Sequence, residues 1–288
     1  MKIALIGASG QLGTDLQKVI PQENLINLDY PDFDIIQLAA SSSQLSAIKP
    51  DLVINTAAYN LVDRADEHPK EAMAINYQGV VNLVEVCLAL DIPLIHFSTD
   101  YVFGVDKKRK TPYTELDQTG PLNQYGKSKL LGEQIIQEKM KKYFIFRTAY
   151  LFGSAGSQGK GGNIVEALIK KGTEQGELVA VTDQIITPTY ALDLAQQVWQ
   201  VIQTDNYGLF HAVSQGNCSI YEFVQQIFEY LGKNVIIKPI QSSEFNLPAA
   251  RPKYSVLANQ KLIDLNLNIM RPWRQGLKDY LIEKKYIK

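Results

Sequence analysis

Residues 2–20, "KIALIGASGQLGTDLQKVI", decide the fold: a short apolar run, then Gly7, Gly10 and Gly13, then a helical pattern. An apolar run too short to alternate reads as a strand buried on both faces. The glycines stand where the chain must turn tightly from that strand into a helix. Glycine there lets backbone approach a phosphate, and the helix N-terminus offers unpaired N–H groups and the positive end of its dipole. A bland glycine turn has the same spelling; position at the first strand–helix junction favours the phosphate-binding reading.

The same unit repeats outward from this stretch. "NLINLD" precedes "SSSQLSAIK", "DLVINTAA" precedes "EAMAINYQGVVNLVEVCLAL", and "PLIHFST" and "YFIFRTA" flank "SKLLGEQIIQEKM". Alternating strands and helices predict an α/β fold, a Rossmann-type doubly wound parallel sheet, with ligands at the strand C-terminal edge. After residue 150 the pattern changes to "GSAGSQGKGGN" and then a run of helices and short strands. We expect a dinucleotide-binding domain over 1–150 and a smaller substrate lobe over 151–288, with "GLFHAV" among the segments returning to the sheet. The glycine-rich stretch 153–163 reads as a substrate lid, with Lys160 as a phosphate contact and Asn163 both capping the next helix and meeting the sugar nucleotide; a plain surface insertion is the alternative.

Composition narrows the function. A formal net charge of −1, with 45% hydrophobic residues, leaves no electrostatic case for nucleic acid or a membrane surface. The "KKRK" run, Lys107–Lys110, reads as a solvated loop. Two cysteines without CxxC spacing argue for a reducing, cytoplasmic setting and against a thiolate metal site. Because a strand-like run opens the sequence, no signal peptide is expected.

Candidate chemistry gathers at strand ends. In "YGKSK", Tyr125 and Lys129 lie one helical turn apart, so an ammonium can sit by a phenol and lower its pKa. Thr99, ending "IHFST", can hydrogen-bond a substrate carbonyl beside Tyr125. Asp29, at the end of the second strand, stands where a carboxylate would hold an adenosine ribose, or serves only as a turn residue before Pro31. No basic residue stands in "GASG", so NADH is as acceptable as NADPH. Arg251 in "AARPK" suits a diphosphate. His96 and His211 read as core histidines, His68 as surface, and Asp63, Asp66 and Glu67 as a solvated helix face rather than a metal cluster.

These motifs, with "INTAAYNLVDRAD", "AINYQGVVNL", "STDYVFG", "PLNQYGKSKLLGE", "FRTAYLFG", "VTDQIITPTYALDLA", "GLFHAVSQGNCSIYEF" and "ARPKYSVL", cover nearly the whole chain. Together they resemble the extended short-chain dehydrogenase/reductases and, within them, the dTDP-4-dehydrorhamnose reductase family. The resemblance implies NAD(P)H-dependent reduction of the C4 keto group of a nucleotide-activated 6-deoxy-4-keto-hexose, by Thr99, Tyr125 and Lys129. It implies Gln11 and Leu12 beside Gly10 at the pyrophosphate, Asp34 and Ile35 at the adenine, and Ala57, Ala58 and Tyr59 along the cofactor. Val62, Thr99, Asp100 and Tyr150 would meet the sugar nucleotide.

Three departures bear on these roles. Tyr150 stands where many members carry Trp, and the loop after it is longer, both on the sugar side. The positions at which some members hold magnesium at a dimer contact correspond to Asp15 and Leu192, so no metal is expected, while a homodimer remains a candidate assembly. A sugar-nucleotide dehydratase would carry an acid where Tyr101 stands. A non-catalytic regulatory subunit like the β subunit of methionine adenosyltransferase shares much of the motif set and is the alternative to an enzyme.

Overall fold

The computed structural model describes residues 1–156, 162–245 and 247–288. Five strands, β1 (Ile3–Ile6), β2 (Leu25–Leu28), β3 (Leu52–Asn55), β4 (Leu94–Thr99) and β5 (Tyr143–Thr148), join the strand Gly208–His211 in a six-stranded sheet. Every pairing in it is parallel, in the order Gly208–His211, β5, β4, β3, β1, β2. Successive side chains of a strand point to opposite faces, and both faces here are covered. Ile3 and Leu5 pack with Leu12 and Leu16 of α1 (Gln11–Val19) and with Leu194 and Val198 of the helix Ala191–Val201. Ala4 and Ile6 pack on the other face with Leu45 of α2 (Leu38–Ile48), Leu83 of α5 (Gly79–Leu90) and Ile136 of α6 (Gln124–Lys139).

Between β3 and α5 lie α3 (Val62–Glu67) and α4 (Pro69–Met73), and a π-turn, Ala74–Gln78, fuses α4 and α5 into one helix, Pro69–Leu90. That helix is long and apolar enough to cross a membrane. Its apolar side, including Val80, Leu83, Val84 and Cys87, is instead spent on the sheet core.

The chain runs from β1 to β2 on one side and then places β3 on the other side of β1. The crevice at a sheet's carboxyl edge opens where strand order reverses, here between the β1 and β3 exits. The strands Glu177–Val181 and Ile236–Ile240 form a separate parallel pair. Beside that pair an aromatic core joins Phe152, Tyr190, Phe223, Trp273 and Tyr280. The helix Ala191–Val201 and the strand Gly208–His211 belong by packing to the sheet, although both follow residue 150 in sequence.

Candidate active site

At the β1 exit Gly7 adopts φ +74°, and a Cβ there would lie 2.7 Å from Thr56 Oγ1 and 2.9 Å from Ala57 N. A Cβ on Gly13 would stand 2.3 Å from the Gly7 carbonyl oxygen. The turn therefore tolerates no side chain at either place and sits directly against the β3 exit. Gly10 caps α1 without a side-chain hydrogen bond, leaving the first N–H groups of the helix to a ligand. This cradle fits a dinucleotide pyrophosphate. Asp29 crosses to the same loop, its Oδ1 accepting from Ser9 N–H at 3.0 Å and from the Ser9 hydroxyl at 2.8 Å.

Just past the β3 exit Ala57 is half-buried and Ala58 is exposed. The backbone of Tyr59 is clasped by Asn76, whose Oδ1 accepts its N–H and whose Nδ2 donates to its carbonyl, each at 2.9 Å. Asn76 sits in the π-turn and also donates to Ser128 of α6 at 3.0 Å. Gln11 is half-buried and Leu12 faces the core. Asp34 accepts from Ile36 N–H at 3.1 Å in a turn. Ile35 differs from expectation: its side chain is 4% exposed and packs in the core against Gly79, so little of it is left for an adenine.

β4 ends in a tight turn, with Thr99 Oγ1 accepting from Tyr101 N–H and donating to Asp100 Oδ1, both at 3.1 Å. α6 presses on this turn because residue 126 is glycine; a Cβ there would meet the Tyr101 carbonyl oxygen at 2.2 Å. Asn123 caps α6, accepting from Gly126 N–H at 2.8 Å while donating to the Ala250 carbonyl at 2.8 Å. The result sets Tyr125 beside Thr99, with the Tyr101 ring 5.9 Å away, edge-on.

Burial pushes the Tyr125 phenol up to about 12, opposed by the Thr99 hydroxyl and reinforced by the Asp100 charge. The expected lowering by Lys129 is not found, because Lys129 Nζ faces His96 Nε2 at 3.2 Å. Burial pulls Lys129 itself down to about 8, against the pull of Glu133. Asp100 is 5% exposed, and burial lifts its carboxyl to about 6 despite the Ser255 and Thr99 hydroxyls beside it.

Tyr150, just past β5, holds φ +42°, a left-handed conformation that costs a residue with a side chain about 1–3 kcal/mol. Its ring packs edge-on against Phe223 at 5.5 Å. Val62 opens α3, which packs against α6. Arg251, expected on a diphosphate, forks onto Asp63 instead, at 3.0 and 2.7 Å, and Asp63 also accepts from Ala249 N–H at 3.2 Å. Asp63 is thus a tie between α3 and the 249–251 segment, not a solvated charge. Asn163 caps the helix Ile164–Gln175 as expected, accepting from Val165 N–H at 2.9 Å. Its Nδ2 donates to the Gly153 carbonyl, so both ends of the amide are spent inside the chain, away from the sugar contact expected of it. Lys160 and the middle of the expected lid lie outside the described residues.

The sequence offers no sign of Asn55, of Ser255, of the Asp63 tie or of the partners His96 meets, since each partner lies tens of residues away. "KKRK" is also less uniform than it reads: Arg109 turns inward, bonding Asp117 at 2.8 Å and lying over the Tyr113 ring at 4.4 Å. His211 is the core histidine expected.

With this geometry in view, similarity to known proteins is informative. The chain is 40% identical to a dTDP-4-dehydrorhamnose reductase from Clostridium acetobutylicum of known structure, with TM-score 0.93, covering 99% of this chain and 100% of that one. A dTDP-4-dehydrorhamnose reductase from Bacillus anthracis, solved in complex with NADP, is 36% identical with TM-score 0.93, over 98% of this chain and 100% of that one. The dTDP-4-dehydrorhamnose reductase of Mycolicibacterium smegmatis is 35% identical over 96% of this chain and 84% of that protein. Residues 1–286 match the family model described as the RmlD substrate binding domain, and the chain belongs to that family.

Proposed function

We propose that this chain is an NAD(P)H-dependent reductase that converts dTDP-4-dehydro-L-rhamnose to dTDP-L-rhamnose. The observation that carries the proposal is the meeting of Thr99 and Tyr125 at the carboxyl end of β4, on the sheet edge that also carries the glycine cradle. The nicotinamide supplies the hydride when bound. Tyr125, held firmly protonated in the free protein, then gives its proton to the developing C4 alkoxide, while Thr99 orients that oxygen. Lys129 contributes an ammonium toward the nicotinamide ribose. Gly7, Gly10, Gln11 and Gly13 receive the pyrophosphate and Asp29 the adenosine ribose. Asp100, Tyr150 and Val62 face the sugar nucleotide.

The reading places the dinucleotide on 1–150 and the sugar nucleotide against 151–288. It includes a cytoplasmic setting, in keeping with two free, buried cysteines, and a homodimer, which light scattering would check. The Asp29 carboxylate opposes a ribose phosphate electrostatically, so NADH is expected to serve within about 100-fold of NADPH, or about 2.7 kcal/mol. The test is to follow NADPH and NADH oxidation with a panel of nucleotide 4-keto sugars and to identify products by NMR. Reduction of dTDP-4-dehydro-L-rhamnose at C4 is the expected result. Cofactor binding without turnover of any sugar would overturn the assignment in favour of a regulatory subunit.

A further inference from the structure

Lys129 is 2% exposed, and among the described residues its Nζ has one hydrogen-bond partner, His96 Nε2 at 3.2 Å. The other ring nitrogen of His96 faces Asn55 Nδ2 at 3.3 Å. The orientation of the Asn55 amide is set by its backbone, because Oδ1 accepts from Ala57 N–H at 3.1 Å. The group turned to His96 is therefore an NH2, which can only donate. A neutral imidazole has one donor and one acceptor. With Nδ1 accepting from Asn55, Nε2 carries the hydrogen and points it at Lys129.

That arrangement suits a lysine amine, which can accept, and not an ammonium, which cannot. An ammonium requires Nε2 bare and a hydrogen on Nδ1, facing the hydrogens of Asn55. The surrounding charges do not reverse the preference. Glu133 of α6 is forked onto Arg147 of β5 at 2.9 and 2.6 Å. Tyr125 is a protonated phenol, Asp100 lies beyond it, and the π-turn contributes the neutral Asn76. Burial and the facing lysine both keep His96 neutral.

We propose that Asn55 and His96 are positioning residues that weaken the hold of Lys129 on its proton in the free protein, coupling dinucleotide binding to proton uptake at Lys129. The nucleotide half rests on the cofactor reading above. In the uptake step the Nε2–H bond breaks as its proton passes to Nζ, and one solvent proton forms the Nδ1–H bond. Ribose hydroxyls then supply acceptors that the ammonium otherwise lacks.

The three histidines make the test direct: NMR of protein labelled with nitrogen-15 in histidine, followed in the free state from about pH 6 to about pH 10. His211 is the internal reference, since its Nδ1 faces the Tyr113 and Ala258 carbonyls at 3.1 Å each and must carry the hydrogen. His96 should show the opposite tautomer, Nε2–H, at the alkaline end, and should change as Lys129 titrates. Nδ1–H on His96 at about pH 9.5 would overturn the proposal, as no bare nitrogen would then face Asn55. Asn55→Asp keeps the acceptor for Ala57 N–H and puts a carboxylate oxygen where the donor stood, so the His96 tautomer of the variant is read by the same NMR beside its affinity. It should lock Nδ1–H and move the alkaline loss of NADPH affinity, read by fluorescence titration, upward by about one pH unit, or about tenfold in Kd at the alkaline end. An unmoved profile in a folded variant would also overturn it. Should that variant not fold, the wild-type tautomer decides. Absence of NADPH binding in a protein with the Nε2–H tautomer would overturn the cofactor reading, and the coupling with it, and leave the Asn55–His96–Lys129 hydrogen-bond assignment standing.

Discussion

Asp100→Asn should stabilise the protein at neutral pH while weakening it as an enzyme. The Asp100 carboxyl is lifted to about 6 in the fold, from 3.8, chiefly by burial. A carboxyl with a raised folded pKa binds its proton more tightly in the native state, so its ionisation above that pKa costs stability. The cost is relieved as pH falls through 6 toward 3.8. Linkage puts it at about 3 kcal/mol at pH 7, about 1.5 at pH 5 and about 0.5 at pH 4. Asparagine keeps an oxygen for the Thr99 hydroxyl and adds no charge, so it escapes this penalty. Thermal melts of parent and variant at about pH 7 should differ by several degrees in favour of the variant, and the gap should close by about pH 4. In the same preparation the KM for the sugar nucleotide should rise, because an ionised acceptor has been lost from the mouth of the site. A variant less stable than the parent at pH 7, by an amount independent of pH, would refute the argument. The Ser255 and Thr99 hydroxyls would then be compensating the buried charge in full.

Tyr125→Phe should lower kcat by about 10² to 10⁴ with NADPH affinity little changed, measured by steady-state kinetics and fluorescence titration. Gly13→Ala places a methyl 2.3 Å from the Gly7 carbonyl oxygen, so a folded variant should lose at least about tenfold in NADPH affinity, and normal affinity would disconnect the turn from the pyrophosphate. Glu133→Gln leaves the Arg147 guanidinium, 4% exposed, without its charged partner. Denaturant melts should show a loss of about 3–5 kcal/mol.

Alternating apolar strands and amphipathic helices determined the doubly wound sheet by themselves, because burial on both faces leaves a pattern that local sequence carries. The glycine turn was legible for the same reason: Gly7, Gly10 and Gly13 mark a backbone path that side chains forbid. Tyr125 and Lys129 could be placed on one helix, since helical spacing is a local property. What surrounds them could not. Whether Lys129 meets Tyr125 or His96 depends on how α6 lies across β4, and that is set by Gly126 against the Tyr101 carbonyl and by Asn76 across the π-turn. Arg251 read as a phosphate ligand because sequence shows a charge and not its partner; Asp63 stands 188 residues away. Ile35 read as an adenine contact until packing put it against Gly79. The strand Gly208–His211 lies in the "GLFHAV" stretch expected to return to the sheet, and the fold adds where it pairs: on the free edge of β5, whose unpaired backbone groups it satisfies. Which backbone paths are possible is decided by each residue and its neighbours in sequence. Which charges and donors face one another is decided by contacts between distant segments, and those exist only in the folded chain.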